Sequence, residues 1–532
     1  MQRALNHLPA ILLTGGSGFL GRHLLEALAD KYRFFVIARR TQAEARAPVH
    51  PNITWLQADL AEPVDLAQCF ELIKTEGGVD VVLHFAAYYD FTGEENPEYQ
   101  RTNVDGLSNV LALCRALSPK RFVFASSLAA CELPGEGSCL TEDDEPNGDH
   151  VYARSKAQGE ALVRAAQRHF PTCIVRLGCL FSDYCEYPPL FVFLATWLSN
   201  SWKARVLGGH GRSAIPYIHI RDGVAFFARL LERLDVLGPA QMLIASTNQP
   251  ISHLELFETA TSFWYGRARK PFFMPKYLAW VGLYAMDLLG TVLGERPFER
   301  PWMGAYIDTV MTTNAHRTYE LLGWKPNPRL SILRRLPFLI ENFRLDPLRF
   351  NQRNLAAMKA VKLSTHLRIF HLLEAHEEEL VKRCGDAVVA HAEVGRLCSY
   401  HGMSRDELDW CSRATILGLK NSIRTRVHGV FRAYCRSVAE RRHGQGFVCR
   451  DVTAILMLKR DLILEVLKND PQAQPILEEL EKRVRISFAL GLDEVVDVFE
   501  ALSGTMIEDD HEEAPLNAAA ADVAESEAAS GR

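Results

Sequence analysis

The run Thr14-Gly15-Gly16-Ser17-Gly18-Phe19-Leu20-Gly21 constrains this chain more than any other feature. It follows the apolar Ile11-Leu12-Leu13 and precedes helical spacing at Leu24, Leu25 and Leu28. Strand, glycine turn and helix in that order are the context of a dinucleotide-binding fingerprint. The first glycine permits the tight turn, the second lets backbone approach a pyrophosphate, and the third lets helix pack on strand. The helix N-terminus then offers unpaired N–H groups and the positive end of its dipole to the phosphates. Thr14, Gly15, Ser17, Gly18, Phe19, Leu20 and Gly21 are therefore candidate cofactor contacts.

Short β-rich runs recur after this turn. They are Phe34–Ala38, Ile53–Leu56 (ending near Asp59), Val79–His84, Arg121–Ala125, Cys173–Leu177 and Gln241–Ala245. Runs of this length without polar alternation predict buried parallel strands with helices on both faces. Leu107, Val110, Leu111, Cys114 and Leu117 recur at helical spacing and form a core stripe. Ser252 is positioned to cap a helix starting near Leu254.

The expected fold is α/β: a Rossmann-type doubly wound parallel sheet with a small substrate-binding subdomain, then an all-helical domain. The expected boundaries are 9–345 for the first domain, with substrate-binding parts mainly within 180–310, and 350–505 for the second. In the second, alternation gives way to long amphipathic patterns at Leu367–Val381, Asp406–Cys435 and Val452–Leu467, which predict at least five helices. Residues 506–532 are acidic, alanine-rich and without aromatics, which predicts a disordered tail.

A tyrosine and a lysine four apart, Tyr152-Ala153-Arg154-Ser155-Lys156, share one helix face. The lysine cation lowers the tyrosine pKa, and the phenol then exchanges a proton with a carbonyl or alcohol oxygen. Such an exchange complements hydride transfer with a nicotinamide cofactor. The pattern gains meaning from its place after the glycine turn and after a strand ending in Ser126-Ser127.

With these motifs the chain resembles the extended short-chain dehydrogenase/reductase family over about residues 9 to 340. The resemblance includes Asp59-Leu60, His84-Phe85-Ala86-Ala87, Asn103, Arg176, Pro216–Asp222 and Leu322-Gly323-Trp324. It lies with the epimerase/dehydratase, 3-beta-hydroxysteroid dehydrogenase and thioester reductase-like branch. The resemblance implies that Ser127 is the catalytic serine, Tyr152 the acid/base, Lys156 its activator and ribose anchor, and Asn103 a supporting group. It also implies that Asp59 and Leu60 border adenine and that Phe85, Ala86 and Ala87 line the cofactor path. Tyr88 and Tyr89, with Ser127 and Tyr152, are the expected substrate contacts. The family often dimerises, so a homodimer is expected.

The end of the second strand, Ile37-Ala38-Arg39-Arg40, lacks the carboxylate that commonly grips an adenosine ribose. Arg39 and Arg40 instead suit a 2′-phosphate, which predicts NADP(H) ahead of NAD(H). The local sequence around Tyr88-Tyr89-Asp90-Phe91 resembles reductases of apolar or thioester-linked substrates. The expected reaction is therefore NADP(H)-dependent reduction of a carbonyl, or oxidation of a secondary alcohol, on a small apolar or acyl-linked substrate. Acyl-thioester reduction, sugar-nucleotide epimerisation or dehydration, and an NADP(H)-sensing regulatory role are the alternatives.

Two apolar stretches, Pro188–Trp202 and Phe272–Leu289, are expected to be buried helices or a cover over such a substrate, with shallow membrane contact or a protein partner left open. A net charge of -5, from 60 basic and 65 acidic residues, argues against a nucleic-acid partner. Twelve cysteines without a Cys-x-x-Cys pair favour a reduced, cytoplasmic setting, and the first strand begins too early to leave room for a signal peptide. The histidines of the second domain lack metal-shell spacing, so no metal is expected.

Overall fold

Each of the short apolar runs forms a strand. In the computed structural model these are β1 (Ala10–Thr14), β2 (Arg33–Ala38), β3 (Ile53–Gln57), β4 (Val81–His84), β5 (Arg121–Ser127) and β6 (Thr172–Leu177), with Ala240–Ala245 as a seventh. Described residues are 8–135, 137–199, 201–293, 296–345, 350, 353–354, 365–425 and 427–504. The chain divides into two units, Met1–Val361 and Lys362–Arg532.

The sheet order is Ala240–Ala245, β6, β5, β4, β1, β2, β3. Every neighbouring pair is parallel. Strand order therefore reverses between β1 and β4, and a crevice opens beyond their carboxyl ends, where ligands of such sheets bind. The register sets Thr14 beside both Ile37 and His84, and Ser127 beside Leu177.

β1 is buried along its whole length, as a strand covered on both faces must be. One face packs on Leu24 and Leu25 from the helix Phe19–Leu28 and on Phe226, Phe227 and Leu230 from Ile220–Glu232. The other packs on Leu107, Val110 and Leu111 from Gly106–Leu117 and on Val163 from Val151–Ala166. Ser252 and Glu255 form a reciprocal capping box on the helix His253–Tyr265, a feature worth about 1 kcal/mol.

The two apolar stretches part company. Pro188–Trp197 is a helix whose Leu190, Phe191, Leu194 and Trp197 are buried against Leu256, Phe257, Leu336 and Ile340. The helix Lys276–Leu293 instead leaves most of its large apolar side chains in solvent. The expectation of burial fails there because the inward face is small, with Ala279 and Gly290 the buried positions. Among the described residues no helix is long and apolar enough to cross a membrane. Pro337 lies inside the helix Ile332–Leu345.

The second unit holds six described helices: Thr365–Ala375, Glu377–Glu393, Arg405–Thr425, Gly429–Gly444, Cys449–Lys468 and Leu477–Ser503. Two of the long sequence patterns each prove to be two helices, broken at His376 and before Gly429. Their apolar stripes meet in one core that includes Leu380, Leu419, Phe431, Ile463, Val484 and Phe488. All twelve cysteines are free. The acidic segment 506–532 lies outside the described residues.

Candidate active site

The glycine turn builds a groove that only backbone lines. Gly15 has φ 76°, and a Cβ there would lie 2.6 Å from the Ala86 amide nitrogen. A Cβ on Gly21 would lie 2.5 Å from the Gly15 carbonyl oxygen. β1, β4 and the helix thus approach as closely as glycine allows. Gly18 is the N-cap of Phe19–Leu28 with no side chain to satisfy its amides, and the first turn carries no acid. This Cβ-free cradle beside a helix N-terminus fits a dinucleotide pyrophosphate.

Around the cradle, Thr14 Oγ1 pairs with His84 Nδ1 at 3.0 Å in the buried floor. Burial, and then the nearby Lys156 cation, hold His84 neutral with its pKa pushed down to about 3. The Phe19 ring packs edge-on against His23, Leu20 is buried, and Phe85 packs on Phe227. Ala87 is exposed in the crevice wall. Of the residues expected near adenine, Asp59 accepts the Ala61 amide at 3.0 Å and an Arg101 guanidinium N–H at 2.9 Å. Leu60 is buried.

Arg39 and Arg40 are both engaged within the chain. Arg39 pairs with Glu98 at 3.1 Å, and Arg40 donates to the Ser17 carbonyl at 2.7 Å. Arg40 thereby braces the glycine turn, and the Arg39 charge is balanced.

The catalytic side is assembled from β5 and the helix Val151–Ala166. The two serines that end β5 take opposite roles. Ser126 is buried and donates to Glu160 Oε1 at 2.6 Å. Ser127 lies beside the Tyr152 hydroxyl. Its Oγ accepts the Ala129 amide at 3.1 Å. Burial raises Tyr152 to about 12, and the nearby Ser127 hydroxyl opposes that rise. Lys156 is buried and donates to the Ala125 carbonyl at 2.8 Å. Its ammonium lies 5.8 Å from the centre of the Tyr152 ring. Burial lowers Lys156 to about 8, against which the Glu160 carboxylate acts.

Asn103 lies on a π-helical turn, Tyr99–Asp105, a rare geometry common at functional sites. Its side chain accepts the Tyr88 amide at 2.6 Å and donates to the Tyr88 carbonyl at 3.1 Å and to Ser155 Oγ at 2.9 Å. Asn103 therefore ties the loop after β4 to the helix of Tyr152. Tyr88 is committed elsewhere, donating to Asp90 at 2.9 Å and accepting from Asn96 at 2.9 Å. Tyr89 reaches the centre: its ring stacks on that of Tyr152 at 4.1 Å and 17°.

Further groups surround the site; Arg176 and Phe91 already carried the resemblance, and the others had no motif to mark them. Arg176 binds both Glu160 oxygens, at 3.0 and 2.9 Å, inside the fold. Glu160 follows Lys156 by four residues on the same helix face, a spacing visible in the chain. Phe91 packs on Tyr89, and Tyr187 and Phe298 extend the aromatic wall. His150 stacks between Tyr152 and Trp302. Long-range packing brings these residues in from distant loops.

The sheet order, the cradle and the Ser127–Tyr152–Lys156 set define an NAD(P)-dependent oxidoreductase of the extended short-chain dehydrogenase type. Residues 11–245 match the model described as the NAD dependent epimerase/dehydratase family. The match lies wholly within the N-terminal unit. The chain is similar to a dTDP-D-glucose 4,6-dehydratase of Dictyostelium discoideum, with 25% identity over 255 residues. That match covers 42% of this chain and 56% of the relative. It is also similar to a UDP-glucose 4-epimerase of Streptococcus mutans, with 23% identity over 329 residues, 60% of this chain and 92% of the relative. A solved structure of similar fold is a UDP-glucose 4-epimerase of Thermotoga maritima with UDP-glucose, at 18% identity and a TM-score of 0.50, covering 64% of this chain and 99% of that one.

These findings overturn three expectations. An apolar or acyl-linked substrate gives way, because these relatives are named for dTDP- and UDP-sugars. The aromatic residues around Tyr89 misled because a flat ring suits a sugar C–H face as well as a lipid. The preference for NADP(H) also gives way. The family whose model matches is described as NAD dependent, and Arg39 and Arg40 already have partners within the chain. The expectation of an apolar ligand as partner falls as well, since the substrates these relatives are named for carry a nucleotide.

Proposed function

We propose that this chain is an NAD(H)-dependent epimerase of a nucleoside diphosphate-sugar. The single observation that carries the reading is the surroundings of the Tyr152 hydroxyl. Among the described residues, Tyr152 lies beside Ser127 with its ring stacked on Tyr89, and no carboxylate hydrogen-bonds its hydroxyl. Inverting a hydroxyl-bearing carbon needs one acid/base, which takes a proton and later returns it. Dehydrating a sugar needs a further acid and base to expel water. The site supports the first reaction better than the second.

The glycine cradle would hold the pyrophosphate of NAD, Asp59 and Leu60 would border its adenine, and Lys156 would anchor the nicotinamide ribose. When bound, NAD supplies hydride acceptance and return. Tyr152, as phenolate, takes the proton of the sugar hydroxyl. Ser127 donates to the same oxygen and keeps it in line. The Lys156 cation beside the ring favours the phenolate that burial alone disfavours. Tyr89, stacked on Tyr152, fixes the ring plane and closes the aromatic side against water. Asn103 holds the backbone of this loop against the helix.

The test is incubation of the full chain with UDP-glucose, UDP-galactose and dTDP-glucose, with products read by NMR. An inverted hexose and no net change in NAD are expected. Tyr152→Phe should lower the rate at least about 100-fold. A keto-deoxy sugar formed with loss of water would refute epimerisation, and so would full activity in Tyr152→Phe.

A further inference from the structure

The helix Lys276–Leu293 faces water with side chains that water does not favour. Tyr277, Leu288 and Val292 are 69%, 69% and 76% exposed. Leu278, Trp280, Val281, Tyr284 and Leu289 are exposed as well. Neighbouring apolar residues enlarge the patch, since Phe272 and Phe273 lie exposed on the short strand leading into the helix. Contiguous apolar surface of this kind marks an interaction site.

Its charges are sorted too. Residues 259–286 carry four basic side chains, Arg267, Arg269, Lys270 and Lys276, and no acidic one. Arg267 and Lys270 are exposed just before Phe272. The one acid of the helix, Asp287, is turned away from the patch, bonded to Arg296 at 2.8 Å and to Arg300 at 2.7 Å. The outward face is therefore apolar, with a positive end. The helix has 18 residues, about 27 Å of length, and it does not qualify as a membrane-crossing segment.

We propose that this face docks in the plane of an anionic lipid bilayer. The leucines and valines would enter the acyl boundary. Trp280, Tyr277 and Tyr284 have the amphipathic rings that settle at headgroup depth. Arg267 and Lys270 would meet anionic headgroups, an attraction that a neutral lipid does not offer. The face offers no free acidic side chain to meet the basic end of a second copy, since residues 259–286 carry none and Asp287 is bonded to Arg296 and Arg300, whereas an anionic bilayer complements that end. The proposal is independent of the sugar-nucleotide reading, since the helix supplies none of the groups placed around Tyr152.

The experiment is co-sedimentation of the full chain with vesicles of phosphatidylcholine alone, and with vesicles of three parts phosphatidylcholine to one part phosphatidylglycerol. Binding to the anionic vesicles, weakened roughly tenfold in Arg267→Gln/Lys270→Gln, is expected. Val281→Glu/Leu288→Glu should abolish it while leaving NAD binding intact. The charge-neutral pair keeps the test decisive if the glutamate pair fails to fold. Failure to bind the anionic vesicles overturns the proposal, whether the protein then runs as a monomer or as a dimer that Val281→Glu/Leu288→Glu separates. Equal binding to both lipids, unaffected by Arg267→Gln/Lys270→Gln, overturns it as well.

Discussion

Lys156 is held at a cost that its chemistry requires. It is buried and its pKa falls to about 8, so the native chain releases a proton that the unfolded chain keeps up to its ordinary value of about 10.5. At neutral pH this opposes folding by about 1–3 kcal/mol. The opposition fades as pH rises from about 8 towards 10.5, because the unfolded state then loses the same proton. Lys156→Met should therefore be inactive yet more stable than the parent at pH 7, with the gap closing at high pH. Thermal melts at several pH values measure this, and a less stable Lys156→Met at pH 7 would contradict it. His84 has the opposite consequence for acid. With its pKa near 3, it cannot take the proton that the unfolded chain binds below about 6.5. Stability should fall as pH drops from about 6.5 towards 3, and His84→Gln should flatten that fall.

Elements carry the next level of argument. The helix Val151–Ala166 is fixed to the sheet by Glu160, which joins Ser126 on β5 to Arg176 on β6. Glu160 and Arg176 are both fully buried. Glu160→Ala would leave the guanidinium without its anion, and removing one partner of a buried pair costs about 3–5 kcal/mol. Urea unfolding should show that loss, with activity falling because Tyr152 and Lys156 ride on the same helix. At the other end of the crevice, Gly15→Ala would force a side chain at φ 76° onto the Ala86 amide. NAD affinity, read by calorimetry, should drop at least about tenfold, since the third dimension of the cradle is backbone contact. Such elements were legible in the chain because their signals are local: a turn beside a strand, a tyrosine and a lysine on one helix face, a serine that caps a helix. The aromatic wall was legible only in part: Tyr89 and Phe91 lie together in the chain, but Tyr187 and Phe298 reach them only through the fold. Arg39 and Arg40 were misread for the same reason: their type was plain, but Glu98 and the Ser17 carbonyl that occupy them were not. The helix Lys276–Leu293 looked buried because composition reports apolarity and not the size of the face it packs with.

At the scale of the molecule, the chain carries two separate cores. The sheet unit is held by the layers around Leu24 and Phe227 on one face and Leu107 and Val163 on the other. The helical unit has its own interior around Phe431 and Phe488. Among the described residues, each of these clusters joins residues of its own unit, so cooperative unfolding has no requirement to span both. Calorimetry of the full chain should resolve two transitions. A ligand stabilises only the state that binds it, by about 2.7 kcal/mol at one hundred times its dissociation constant. Saturating NAD should therefore raise the transition of the sheet unit by several degrees and leave the other in place. Gly15→Ala should abolish that shift without moving the second transition. If NAD moved both transitions together, the units would be coupled in folding, and the helical unit would belong to the energetics of the cofactor site.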